Sequence, residues 1–334
     1  MKHSLPSLIP LCIAALLFGG DAARAQSAGG YAASYLRRTL LAREIAMGGA
    51  FTPFAAEGSA IFSNSAALPG LRDQTVLASM SLLSNGERFR AFGYGTPVGD
   101  FAGISAGIMG YGISDVQGYT ADERPTGSIG SEDFAFSLGG GLTIGPGALG
   151  ATVRYLRTTL TGTEGSASGY TVDLSGSLAL ADRYFFSLAL NNIAGETKGP
   201  RELAPWNTRL GASYLIPMEE RSETSRLDPS GIIRTRRLRP RAYLLLATEM
   251  RLAQYESEPN YSLALEWVPV VAFPIGLRGG YNTLGDFAFG FSYDLPVEFV
   301  RDLRIELAAR RDYELGDISS HVTISAAFGS GSQP

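Results

Sequence analysis

The sequence predicts an all-β chain: an antiparallel transmembrane β-barrel of about fourteen strands, with an N-terminal hatch segment in or near the lumen. Three observations predict it. Hydrophobicity is spread over many short runs, and beyond the N-terminus none approaches the roughly 20 residues that a membrane-spanning helix needs. Those runs alternate with period 2, the mark of a strand with two unlike faces. They are close to ten residues long, which suits tilted membrane strands (about 9–11) better than soluble sheets (about 5–6).

The first element is an address. Residues 1–25 carry Lys2 and His3, an apolar run from Leu8 to Phe18, and a closing Ala23-Arg24-Ala25. A charged start, a short apolar core and a small-x-small end are the features of a secretory signal peptide, cleaved here before Gln26. The single cysteine, Cys12, lies inside that core, so the mature chain has no thiol for a disulfide or for catalysis. Residues 26–72 follow as the hatch segment. Its stretch "AREIAMGGAFTPFAAEGSAIFSNSAAL" (42–68) is too polar to span a membrane and too poor in charge for a linker. Gly48-Gly49 would weaken any helix there by about 1 kcal/mol each. Small side chains suit a compact element lying close against an interior wall.

The barrel itself is read over 73–328. Strand-like runs fall near 74–83, 86–97, 101–111, 132–144, 148–160, 169–180, 183–192, 205–216, 241–253, 259–268, 274–283, 286–295, 302–312 and 318–328. The count is even, as in single-chain bacterial barrels. In "DLRIELAAR", Leu303, Ile305, Leu307 and Ala309 take one face, and Arg304, Glu306 and Arg310 the other. Tight turns at Gly99-Asp100, Pro146-Gly147 and Ala181-Asp182 alternate with longer polar loops at 112–131, 161–168 and 193–204. Short turns on the periplasmic side and long loops outside are the outer-membrane arrangement, with both termini periplasmic. Residues 217–240, long and arginine-rich, break that rule; a partner-docking loop and a simple extension of two strands both fit. Residues 329–334 form a tail.

A formal charge of −4 argues against nucleic acid as a partner. His321 is the one histidine left after maturation, too few for a zinc site, and no motif for a cofactor is present. A hydrolase built on His321 is the enzymatic alternative, but no sequence signal pairs it with a nucleophile; the chain is read as non-enzymatic. "GGGLTIG" (139–145) lacks the helix and lysine of a phosphate loop. Charges recur inside predicted strands: Arg154, Arg157, Asp173, Glu249, Arg251, Arg304, Glu306 and Arg310. A basic residue facing lipid at the midplane costs about 2–4 kcal/mol, so these are expected to face the lumen and pair across strands. A salt-bridged interior and a selectivity lining both remain open at this point.

The stretch 42–68 resembles the N-terminal signature of the PorV/PorQ branch of the FadL-like outer-membrane proteins. Ala42, Arg43, Ala46, Met47, Gly48, Gly49 and Ala50 match its first part; Glu57, Ala60, Asn64, Ala66 and Leu68 match its second. Further similar pieces lie at 204–214, 276–282 and 315–328. The resemblance implies a fourteen-stranded barrel in which this segment is the hatch. It also implies an accessory role in export of proteins to the cell surface (type IX-like), with secretion components or exported cargo as partners. The FadL side of the family implies instead a channel for long-chain fatty acids or other hydrophobic small molecules. A structural protein embedded in outer-membrane lipid is a third reading. Where the signature has Asn-Pro-Ala, this chain has Asn64-Ser65-Ala66, which removes proline's fixed φ and predicts a looser turn.

Overall fold

A computed structural model describes residues 33–329 apart from short stretches at 55–56, 84–85, 162–164, 199–203, 220–222, 228–232, 238–241, 255, 271–273, 298–299 and 313–316. The expected signal peptide and most of the tail lie outside the described residues. Fourteen antiparallel strands close into one barrel. They are β1 (Gln74–Leu82), β2 (Arg88–Val98), β3 (Ala102–Tyr119), β4 (Pro125–Ile144), β5 (Gly147–Thr161), β6 (Gly165–Leu180), β7 (Tyr184–Lys198) and β8 (Asn207–Pro217), then β11 (Tyr243–Ala253), β12 (Asn260–Val268), β13 (Ile275–Asn282), β14 (Phe287–Val297), β15 (Val300–Arg311) and β16 (Ile318–Phe328). The seam pairs β1 with β16, Gln74 opposite Phe328. Between β8 and β11, β9 (Glu223–Leu227) and β10 (Ile233–Arg237) form a two-stranded sheet separate from the barrel. The segment 217–240 therefore holds its own hairpin rather than a continuation of the neighbouring strands.

Alternation sets the two faces of the wall. Leu307 is 48% exposed while Glu306 is 6%. Leu138, Phe289, Phe136, Val153 and Ile324 likewise stand outward in an apolar belt, the inside-out arrangement that a hydrocarbon solvent requires. Inward positions are small or polar: Ala135, Ala288, Ser105, Ser137, Thr152 and Thr171 are all buried.

Two expectations from the sequence are corrected. The stretches 112–131, 161–168 and 193–204 are not simply loops, because β3 to β7 continue through much of them. β4 is 20 residues long against 8 for β13, far more than the roughly 10 that cross a bilayer. Backbone hydrogen bonding between polar residues carries these strands beyond the apolar belt. The β6–β7 connection is a tight turn whose Ala181 and Asp182 both have positive φ, as a hairpin of matched twist requires. The second correction concerns Arg157, which is exposed and shares the outward face with Val153 and Tyr155. It sits toward the long-loop end of β5, where a long side chain can reach past the hydrocarbon.

The N-terminal segment lies inside the wall. Its ordered parts are a 3-10 turn at Ser34–Arg37, α1 (Ala42–Ala46), turns at Thr52–Phe54 and Glu57–Ser59, α2 (Ala60–Ser63), and a turn at Ser65–Gly70. Together these parts touch every barrel strand, from β1 at the turn of Glu57–Ser59 to β16 at α1, with β12 reached through Arg43. One segment can do that only from within a closed barrel. Its apolar side chains supply the packed core: Leu41, Met47, Phe51 and Leu68 are essentially inaccessible. Burying each contributes about 1.5–3 kcal/mol.

Candidate functional site: the locked lumen

The helix α1 is only five residues long because Gly48 and Gly49 stop it. Gly48 sits at φ 59, its N–H donates to Ile45 O and that of Gly49 to Glu44 O, the paired bonds of a Schellman motif. This brief helix presents two adjacent charges, Arg43 and Glu44, to β12 and β8, strands separated in the wall by β11 alone.

Arg43 is 3% exposed. Its Nε and Nη2 donate to Glu266 on β12 at 3.1 and 2.5 Å, and its guanidinium lies 5.0 Å over the Phe51 ring. Glu266 also accepts from Arg278 Nε on β13 at 2.6 Å, and Arg278 in turn meets Glu306 on β15 at 3.2 Å. Burial alone would lower the pKa of Arg43, but the charge of Glu266 outweighs it and holds the guanidinium well above its ordinary value. Glu44 faces the other way: it accepts from Ser63 Oγ at 3.0 Å and pairs with Arg209 on β8 at 2.8 Å. Arg209 also pairs with Glu249 and donates to Gly49 O at 3.0 Å, while Glu249 accepts from Thr52 N–H at 3.0 Å. Two ionic chains thus tie one short helix to a continuous arc of the wall, from β8 and β11 to β12, β13 and β15.

The far end of the segment is tied by close approach. Asn64 Oδ1 accepts from Ala66 N–H and caps the turn Ser65–Gly70. Ser65 Oγ lies 3.0 Å from Ser175 Oγ on β6. The predicted loosening at Ser65 is therefore offset, because serine gains a wall contact that proline cannot make. Gly150 on β5 faces this turn so tightly that a Cβ there would stand 2.3 Å from Ala66 N. Gly280 on β13 does the same beneath α1, where a Cβ would fall 2.2 Å from Gly48 N. Glycine at these wall positions is what lets two backbones meet.

Residues 33–41 lie at the long-loop end. Tyr35 stacks on Tyr111 with centroids 6.1 Å apart; Arg38 meets Glu87 at 2.7 Å, and Arg37 meets Glu256 at 3.2 Å. Glu87 and Glu256 belong to the β1–β2 and β11–β12 connections. The segment therefore runs the length of the lumen before entering β1, and its described start lies at the end opposite Gln74. The aromatic partners of Tyr35, Phe89 and Tyr111, stand at that same rim, and the residues that precede Ala33 lie outside the described ones.

Above α1 a chamber of about 470 Å³ opens between the segment and the long-loop rim. Of the charges singled out in the sequence, Arg154, Glu249, Arg251 and Arg310 line it; Arg154 pairs with buried Asp173, and Arg310 lies 3.5 Å from Asp312. Arg304 pairs with Asp294 and Glu306 with Arg278, both away from the chamber. Of the resemblance motif, Ala42, Ala46, Met47 and Ala50 are buried packing residues, and Glu57 opens a 3-10 turn. Sequence reasoning missed Glu44, Arg209, Glu266 and Arg278. An inward-facing charge at an alternating strand position was the available signal, and Glu266 in "SLALEWV" carries it. His321 has Ser81 Oγ at 2.6 Å on Nδ1 and Ser319 Oγ at 2.8 Å on Nε2. Both ring nitrogens are engaged and the residue does not line the chamber. Among the described residues no group of acids, histidines or cysteines could hold a metal ion.

No protein-family model matches the sequence, and no curated protein matches it. Among solved structures, the chain is similar to a Pseudomonas aeruginosa FadL homologue (TM-score 0.58, 11% identity, covering 88% of this chain and 99% of that one). It is also similar to the Pseudomonas putida toluene transporter TodX (0.57, 14%, 86% and 96%) and to CymD, a monoaromatic hydrocarbon channel (0.55, 10%, 87% and 98%). At these identities the likeness is one of fold: a FadL-type barrel of fourteen strands.

Proposed function

We propose that this chain is a gated outer-membrane channel for small molecules, held shut at rest by its own N-terminal segment, with residues 26–72 as hatch and 73–328 as conduit. The observation that carries the reading is the lock at Arg43 and Glu44. A segment meant only to fill a lumen could rely on apolar packing, whereas two buried ionic chains give a closure that a local change in charge or contact can undo. The FadL-type fold favours hydrophobic small molecules as the solute class, since structures of this shape include a toluene transporter and a monoaromatic hydrocarbon channel. The apolar belt and closed sheet favour the outer membrane of a Gram-negative bacterium. An accessory role in protein export rests on the motif resemblance alone, and none of these structural neighbours is a secretion component.

The test is conductance in a planar bilayer. The intact protein should be silent or nearly so, and Arg43→Ala combined with Glu44→Gln should open it while the heat-modifiable folded band is kept. An intact protein that conducts as a wide, steady pore would overturn the gate.

A further inference from the structure

The chamber above α1 is lined mainly by charged and amide groups, with Leu36, Leu40, Ile45, Phe62, Met109 and Leu284 as an apolar minority. Its acceptors are largely spent. All four carboxylate oxygens of Glu44 and Glu249 are taken, by Arg209, Ser63 and the Thr52 N–H. Its donors are not. Arg37 and Arg251 reach the same atom, Glu256 Oε1, at 3.2 and 3.6 Å, so two cations share one carboxylate oxygen. The Nε of each is shut off from solvent and has no hydrogen-bond partner. A buried guanidinium N–H left unpaired is costly, and a planar bidentate anion is the partner its geometry fits.

A second orphan lies on the β7 side of the same chamber. Asn192 is bulged out of the ladder at φ 56, where Asp173 on β6 faces three residues of β7 rather than one. Its backbone N–H donates to Asp173 and its Nδ2 to Pro205 O, which fixes the side chain and leaves Oδ1 buried without a donor. The amides of Asn191 and Asn207 flank it. A strained, doubly anchored asparagine that keeps its acceptor empty asks for a hydroxyl or amine on whatever enters.

We infer that this chamber is a binding site for a small hydroxylated carboxylate, its anionic group taken by Arg37 and Arg251 and a hydroxyl donating to Asn192 Oδ1. The inference rests on the gated-channel reading and departs from the hydrophobic solute class that the fold likeness favours, giving this chamber a polar ligand instead. Because Arg37 belongs to the N-terminal segment and Arg251 to the wall, an anion held between them also touches both parts of the gate.

The experiment is calorimetric titration of the detergent-purified full chain with gluconate, against hexadecanoate and toluene. Gluconate should bind saturably, at least ten-fold more weakly in Arg37→Gln and in Arg251→Gln, and unchanged in Arg90→Gln on the exposed wall. Asn192→Ala, which removes the Oδ1 acceptor without touching either arginine, should also weaken gluconate binding about ten-fold; it keeps the test alive if Arg251→Gln does not fold. Gluconate binding that survives these changes overturns the inference, as does its absence, with or without binding of hexadecanoate or toluene. Failure of the gate would show separately, as conductance that the Arg43 and Glu44 variants leave unmoved.

Discussion

Leu307 on the wall and Phe51 in the N-terminal segment are both large apolar side chains, yet the first is 48% exposed and the second fully buried. The wall places its apolar groups outward by strict alternation and is held by main-chain ladders that close on themselves. The segment has no ladder at all. It is held by inward apolar packing, two ionic chains and a few places where glycine lets backbones touch. The difference separates two kinds of fragility. Damage to the wall should cost the barrel, whereas damage to the lock should cost the closure and leave the barrel standing.

That separation can be broken or sharpened by substitution, taken from the largest expected effect to the smallest. Arg43→Ala strips Glu266 of one of its two arginines in a dry site, and breaking a buried pair of this kind costs about 3–5 kcal/mol. The expected readout is a large rise in conductance with the folded band intact; loss of the band as well would mean that lock and wall are one cooperative unit. Leu307→Arg puts a charge on the lipid face and should cost about 2–4 kcal/mol if the site lies near the midplane. Here the folded fraction in a urea titration should drop while residual folded protein stays closed. Gly150→Val forces a side chain against the Ser65–Ala66 backbone, an overpacking worth about 1–3 kcal/mol, and should loosen the far end of the segment. Protease access to the segment in the folded protein measures it, and unchanged protection would show that the turn can move aside. Ser65→Pro restores proline at the start of a capped turn and loses the Ser175 contact, about 0.5–1.5 kcal/mol. Little change in either assay is expected, and a marked opening would show that Ser175 is part of the lock.

The wall was legible in the sequence because period 2 is a local property. All fourteen strands lie where the alternation placed them, and the outward Leu303–Ile305–Leu307 row of β15 could be read from nine residues. What was not legible is how far β3 to β7 rise beyond the membrane, since polar residues such as Ser131 and Ser168 give a strand and a loop the same composition. The lock was half legible. Arg43, Gly48 and Gly49 stood out through a resemblance, but their partners did not. Glu266 lies 223 positions from Arg43, and only barrel closure brings the two together. Arg157 was misplaced because the cost of a charge on the outer face depends on height in the membrane, which alternation does not report.

The seam between β1 and β16 carries one more consequence. The chain is already inside when the wall begins: residues 33–41 sit at the long-loop rim, and Gln74 starts β1 at the opposite rim, next to Phe328. A ring cannot be zipped shut first and filled from its far side by a segment attached to its near side without drawing that segment the whole length of the bore. The simpler order of events is a ship-in-a-bottle one: the open sheet curls around its own leader, and the last strand seals the vessel with its contents in place.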